Sequence, residues 1–124
     1  MDECDVVVPR NMVAKFINYT NELQKEFNIR IRSFGHAGDG NLHVYVLKDD
    51  LTDEVWDEKI AEVFEAMYSK SRELKGLVSG EHGIGFAKKA YMLEQLGPVY
   101  VGLMKNIKLA FDPKNILNPG KVCE

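Results

Sequence analysis

The chain lacks several features that would set its class at once. Its 124 residues contain two cysteines, Cys4 and Cys123, near opposite ends. A disulfide framework needs more, so two free thiols in a reducing cytoplasm are the expectation. No run of about 18 apolar residues occurs, so nothing reads as a membrane-spanning helix. Basic residues are not in excess: Lys and Arg number 16 against 19 Asp and Glu, a net charge of −3. A domain that grips phosphate backbones carries the opposite balance, which argues against nucleic acid as a partner. No secretory signal pattern opens the sequence, in keeping with a cytoplasmic protein. There is no G-x-G-x-x-G after a strand with an acidic residue downstream, and no P-loop. A nucleotide cofactor can touch this chain, but the chain does not look able to hold one alone. Internal repeats and low-complexity segments are also missing. What remains is one domain with 45% hydrophobic residues, enough for an ordinary core.

Histidine is scarce too, and its distribution is informative. All three histidines fall in two glycine-rich segments. The first is Gly35-His36-Ala37-Gly38-Asp39-Gly40-Asn41-Leu42-His43, and the second is Ser79-Gly80-Glu81-His82-Gly83-Ile84-Gly85. His36, His43 and Glu81 are the residue types that bind a divalent transition metal such as zinc. His82 is a further imidazole, available as a base.

The remaining pattern places these segments. Asp5 to Pro9 reads as a strand ended by proline. Asn11 is a candidate N-cap for a helix carrying Phe16, Leu23 and Phe27, which Asn28 ends. Arg30 to His36 alternates like a strand, Asp39-Gly40 is a two-residue hairpin signal, and Asn41 to Leu47 is the partner strand. Thr52, followed by Asp53 and Glu54, opens a long amphipathic helix with Trp56, Val63, Phe64 and Met67, ended by Gly76. Leu77-Val78-Ser79 reads as a fourth strand. Helices are expected over Ala87–Leu96 and Val99–Phe111, broken at Gly97-Pro98, with Leu103, Ile107 and Phe111 on one stripe. Asp112-Pro113 reads as the cap and first-turn proline of a short turn. Strand, helix, strand, strand, helix, strand predicts an α+β fold: a ferredoxin-like split βαβ antiparallel sheet of four strands with additional C-terminal helices.

With Asp39-Gly40 as the loop, His36 faces His43 across the hairpin on one face of the sheet. Strand 4, taken as antiparallel to strand 3, delivers Glu81 and His82 to the same rim. Arg32 shares the face of His36 by alternation and is a candidate for a substrate carboxylate. Each motif alone has a plainer reading. GDG is often only a tight turn, and Gly80 and Gly83 can serve a strand-to-helix turn. The glycines around His36 would also admit a planar ligand or a phosphate to the backbone.

GHAGDGNLH, SGEHGIG and FDPKNILNPGK, in that order, resemble the C-terminal domain of FAD-linked oxidases. This group includes the glycolate oxidase flavoprotein subunit, D-lactate dehydrogenases and D-2-hydroxyglutarate dehydrogenase. The resemblance covers nearly the whole chain. It implies that residues 1–124 are the C-terminal, substrate and metal part of such an enzyme. The N-terminal FAD-binding domain would be absent from this chain, as in an excised fragment or a separately encoded piece, and the isolated chain inactive. It implies His36, His43 and Glu81 as metal ligands and His82 as the catalytic base. Asn41 would lie near substrate or flavin, and Asn118 near the flavin. Glu3 stands about where some members carry a lysine. The implied reaction oxidises a small 2-hydroxy acid to a 2-oxo acid with hydride transfer to FAD. Implied partners are the chain's own N-terminal FAD domain and an electron acceptor: an electron-transfer flavoprotein, an iron–sulfur subunit or a quinone. A homo-oligomer covering exposed apolar surface is a further expectation. The alternative is a non-catalytic metal-binding or interaction module on the same scaffold. A family member that dispenses with the metal would not need His36, His43 and Glu81 together.

Overall fold

The computed structural model describes all 124 residues, which divide into two compact units, Met1–His82 and Gly83–Glu124. The first unit runs β1 (Asp2–Val7), a 3-10 turn (Arg10–Met12), α1 (Val13–Glu26), β2 (Arg30–His36), β3 (Asn41–Leu47) and α2 (Asp53–Glu73). The strands form an antiparallel sheet in the order β1-β3-β2, so β3 is central. With its helices this is the α+β class expected.

One face of the sheet makes the core. Cys4 and Val6 of β1, Leu42, Val44 and Val46 of β3 and Ile31 of β2 are buried. Phe16 and Leu23 of α1, and Val63 and Met67 of α2, are buried with them. These helix positions recur at helical spacing, so each helix turns one stripe inward. Each fully buried aliphatic side chain contributes about 1.5–3 kcal/mol relative to exposure, which holds the helices on this face. Thr52 caps α2 by accepting the Val55 N–H, as expected. Asn11 does not cap α1. Pro9 O accepts the Met12 N–H instead, and the 3-10 turn carries the chain into the helix. Asn28, at φ 47°, ends α1 in the left-handed conformation an asparagine tolerates.

Three expectations change. First, β1 begins at Asp2, three residues before the expected start, which brings Glu3 onto the sheet. Second, the hairpin loop is four residues, Ala37 to Gly40, because the Asp39 and Gly40 N–H groups both donate to His36 O. His36 therefore pairs with Asn41, and Phe34 with His43. The register moves by two, and a shift of two keeps every side chain on its face. Third, the sheet has three strands, and the expected fourth is reduced to one bridge between Leu77 and Val7. The bridge is antiparallel to β1, and β1 is antiparallel to β3. Residues 77–81 therefore run in the direction of β3 and start level with its beginning, not opposed to it as expected. The ladder stops there because the next N–H groups turn to a carboxylate on β1.

In the second unit, α3 (Lys89–Phe111) is interrupted at Gly97, φ 80° and ψ 170°, immediately before Pro98. The expected break is there. The stripe Leu103, Ile107 and Phe111 is exposed, as are Val99 and Tyr100. Asp112 accepts the N–H groups of Ile116 and Leu117, forming the expected capped turn. Both cysteines are buried, and neither is in a disulfide.

Candidate functional site

The sheet face opposite the helices carries three aligned rows of side chains. In register these are Glu3–Tyr45–Arg32, Asp5–His43–Phe34 and Val7–Asn41–His36. His43 sits at the centre of this grid and is only 7% exposed. It meets His36 diagonally rather than directly, with ring centroids 5.9 Å apart and the planes edge to face. The His82 ring lies 5.0 Å away, tilted by 32°.

Asp5 brings Glu81 and His82 here. It is 1% exposed, and its Oδ2 accepts the Ser79 hydroxyl at 3.1 Å. The same oxygen accepts the backbone N–H groups of Gly80, Glu81 and His82 at 3.0, 3.1 and 2.9 Å. Successive N–H groups converging on one anion form a nest. The chain curls around this carboxylate instead of extending a ladder. Gly80 makes the approach possible, since a Cβ there would stand 2.1 Å from Asn41 Oδ1 and 2.7 Å from Asp5 Oδ1.

As a result His43 has a carboxylate at each ring nitrogen. Glu3 Oε1 lies 2.9 Å from Nδ1, and Glu81 Oε1 lies 3.1 Å from Nε2. His36, His43 and Glu81 each offer one ligand atom within 4.8 Å of the others. Two ligands bound to one ion at about 2.0–2.2 Å stand roughly 2.8–3.6 Å apart for angles between 90° and tetrahedral, so the Nε2–Glu81 separation of 3.1 Å suits a shared cation. The donor set of two imidazoles and a carboxylate is one that zinc and similar ions accept. A second group, Glu3, His43 and His82, meets the same distance limit. It uses His43 again, through the opposite nitrogen.

His82 is about half-exposed, its Nδ1 3.6 Å from Glu3 Oε1 and its Nε2 3.9 Å from Glu81 Oε1. Both are longer than hydrogen bonds, so the ring borders the group without being tied into it. Arg32 is placed otherwise: its Nη1 is 3.1 Å from Ile31 O and 3.4 Å from Gln24 Oε1 on α1. Asn41 is buried, with Oδ1 against Gly80 and without a hydrogen-bond partner. Asn118 belongs to the second unit, where it lines a cleft with Leu117 and Lys121.

The residue reading missed Glu3 and Asp5 as members of this site. With β1 begun at Asp2, alternation alone puts Glu3, Asp5 and Val7 on one face. Two acidic residues, Glu3 and Asp5, alternating with the apolar Cys4 and Val6 were the available signal. Tyr45 was missed as well. Its ring stacks on Phe34 at 5.1 Å, and a hydrogen bond to Glu3 raises its phenol pKa.

Known proteins resemble the chain over nearly its whole length. The chain is 49% identical over 123 residues to D-lactate dehydrogenase of Anaerostipes hadrus, covering 99% of this chain and 26% of that protein. It is 46% identical over 118 residues to D-lactate dehydrogenase of Archaeoglobus fulgidus, 95% of this chain and 26% of the other. It is 40% identical over 118 residues to glycolate oxidase subunit GlcD of Bacillus subtilis, 95% of this chain and 25% of the other. The chain thus spans about a quarter of the length of the curated relatives it matches. The profile of the FAD linked oxidases, C-terminal domain, matches residues 1–122, and the chain belongs to that family.

Proposed function

We propose that this chain is the metal- and substrate-binding part of a flavin-dependent dehydrogenase that oxidises a small 2-hydroxy acid to a 2-oxo acid. The observation that carries the reading is the convergence of His36, His43 and Glu81 on the open sheet face, with His82 beside them. His36, His43 through Nε2, and Glu81 would hold a divalent ion. FAD would be held by polypeptide outside this chain; by resemblance alone, Asn41 would lie near substrate or flavin and Asn118 near the flavin. When bound, the ion supplies Lewis acidity to the substrate hydroxyl and carboxylate, and FAD supplies the hydride acceptor.

His82 takes the hydroxyl proton at Nε2, the nitrogen on the Glu81 side, as hydride leaves the adjacent carbon. One proton and one hydride leave together, and the hydroxyl-bearing carbon becomes a carbonyl. Asp5 holds Glu81 and His82 in place through three backbone N–H groups, so the base and a ligand are positioned as one piece. Phe34, 60% exposed and stacked on Tyr45, offers an apolar wall beside His43.

Charge favours a monocarboxylic substrate. Glu3 and Glu81 flank the histidines, and Arg32 is engaged at the edge of β2. A second substrate carboxylate would meet like charge on this face, so D-lactate or glycolate fits better than D-2-hydroxyglutarate. Dye reduction by the full-length protein tests this. Turnover should need a divalent metal and should favour D-lactate over D-2-hydroxyglutarate in kcat/KM. Undiminished turnover after metal removal, or preference for the dicarboxylate, would overturn the reading.

A further inference from the structure

We infer that Phe34 is a specificity-determining residue of this site: its ring receives the alkyl group on the hydroxyl-bearing carbon, so the preferred substrates are 2-hydroxy acids with a short apolar side chain. The inference deepens the function proposed above and rests on it. In the three rows of the open face, Phe34 is the one large apolar side chain left exposed. Its neighbour in the row is His43, directly opposite on β3, with ring centroids 5.9 Å apart. His36 follows two residues later on the same strand and the same face. Both imidazoles of the candidate ligand group therefore border the ring. Tyr45 covers one side of it, nearly parallel at 14° with centroids 5.1 Å apart. That contact holds the ring in place and leaves the rest of it uncovered.

The four bonds of the reacting carbon have separate destinations. Its hydroxyl and carboxylate belong at the group of His36, His43 and Glu81, with His82 beside it. Its hydrogen belongs at the hydride acceptor. Only the fourth substituent is left to place. His82 lies on the β1 side of His43, 3.6 Å from Glu3, whereas Phe34 lies on the β2 side. A hydroxyl held at His82 leaves the β2 side for that substituent. A methyl group there buries apolar surface against the ring. A lone hydrogen, as in glycolate, leaves the ring exposed. A second carboxylate meets the negative face of the ring and loses water without gaining a donor. One carbon more or less in an apolar site changes kcat/KM by about 10–200-fold. Phe34 thus separates D-lactate from glycolate, which the acidic residues of this face do not.

Three acids and two variants of the full-length protein test the inference. Dye reduction gives kcat/KM for glycolate, D-lactate and D-2-hydroxybutyrate. Calorimetry gives the affinity of the resting enzyme for pyruvate, without turnover, and atomic emission gives bound metal. The wild type should favour D-lactate over glycolate by about 10-fold or more. Phe34→Ala should cut that ratio about 10-fold, weaken pyruvate by a similar factor and raise D-2-hydroxybutyrate relative to D-lactate, with bound metal unchanged. Phe34→Leu, apolar but without a ring, should keep most of the ratio and of the pyruvate affinity. Two results would overturn the inference while the proposed function stands. One is a wild type that oxidises D-lactate and a Phe34→Ala variant with the same ratio of D-lactate to glycolate. The other is an equal loss on both acids with an altered flavin absorption spectrum, which would set the ring against the flavin instead of the substrate. A wild type that oxidises neither acid refutes the proposed function, and this inference with it.

Discussion

Asp5 Oδ2 accepts the backbone N–H of His82 at 2.9 Å across 77 residues of sequence. The neighbouring N–H groups of Gly80 and Glu81 share that oxygen. A buried charge with several donors is costly to remove, because the donors are left without a partner. Asp5→Ala should therefore destabilise the chain by roughly 3 kcal/mol and weaken metal binding, although Asp5 is no ligand. Urea unfolding alongside metal titration checks both. A variant with wild-type stability and wild-type affinity would remove Asp5 from the account.

The two glycines of the GDG turn should behave in opposite ways. A Cβ on Gly38 meets nothing within 4 Å. A Cβ on Gly40 would stand 2.0 Å from Val8 O, and φ there is 82°. Gly38→Ala should be nearly neutral, whereas Gly40→Ala should cost about 2 kcal/mol or more from strain and clash combined. Thermal unfolding of the two variants reads the difference, and equal melting temperatures would refute the loop described for the hairpin.

Ligands and base should separate on mutation of the full-length protein. His43→Ala and Glu81→Ala should reduce bound metal to background, and His36→Ala should weaken it. His82→Gln should retain the ion and lose turnover by about 100-fold or more. Atomic emission measured alongside dye reduction gives both quantities. Full metal in His43→Ala would show the ligand set to be wrong. Full turnover in His82→Gln would show the base to be wrong.

The C-terminal turn should loosen in acid. Asp112 is lowered to about 2, first by the Leu117 N–H, then by Lys108 and the Ile116 N–H. A depressed carboxyl lends its stability above its unfolded pKa, about 3.9. That contribution is lost as the pH falls through the folded value, so the window lies between about pH 4 and 2. Amide exchange of Ile116 and Leu117 should accelerate across this window in the wild type. In Asp112→Asn it should be fast throughout and show no such step. A wild-type exchange rate without the step would contradict the assignment.

Much of the first unit was legible because its signals are local. Alternation in Arg30–His36 and Asn41–Leu47, the Thr52 cap and the apolar stripe of α2 each lie within a few residues. The hairpin register was read two residues off, since Asp39 and Gly40 both turn back to His36 O and lengthen the loop. The face of His36 and His43 survived the error because side chains alternate with a period of two. The fourth strand was read from three apolar-to-polar residues, but Asp5 takes the N–H groups that a ladder would need.

By itself, the sequence determined which residues are chemically able to hold a divalent ion and take a proton, and which sheet face His36 and His43 share. Those are matters of residue type and short-range alternation. Tertiary structure alone decided that Asp5 curls residues 79–82 over β1, that Glu81 meets Nε2 of His43, and that Glu3 meets Nδ1. Each of those contacts joins residues roughly forty or more positions apart, and they exist only once β1 has paired with β3 and placed its acidic residues beside the central histidine.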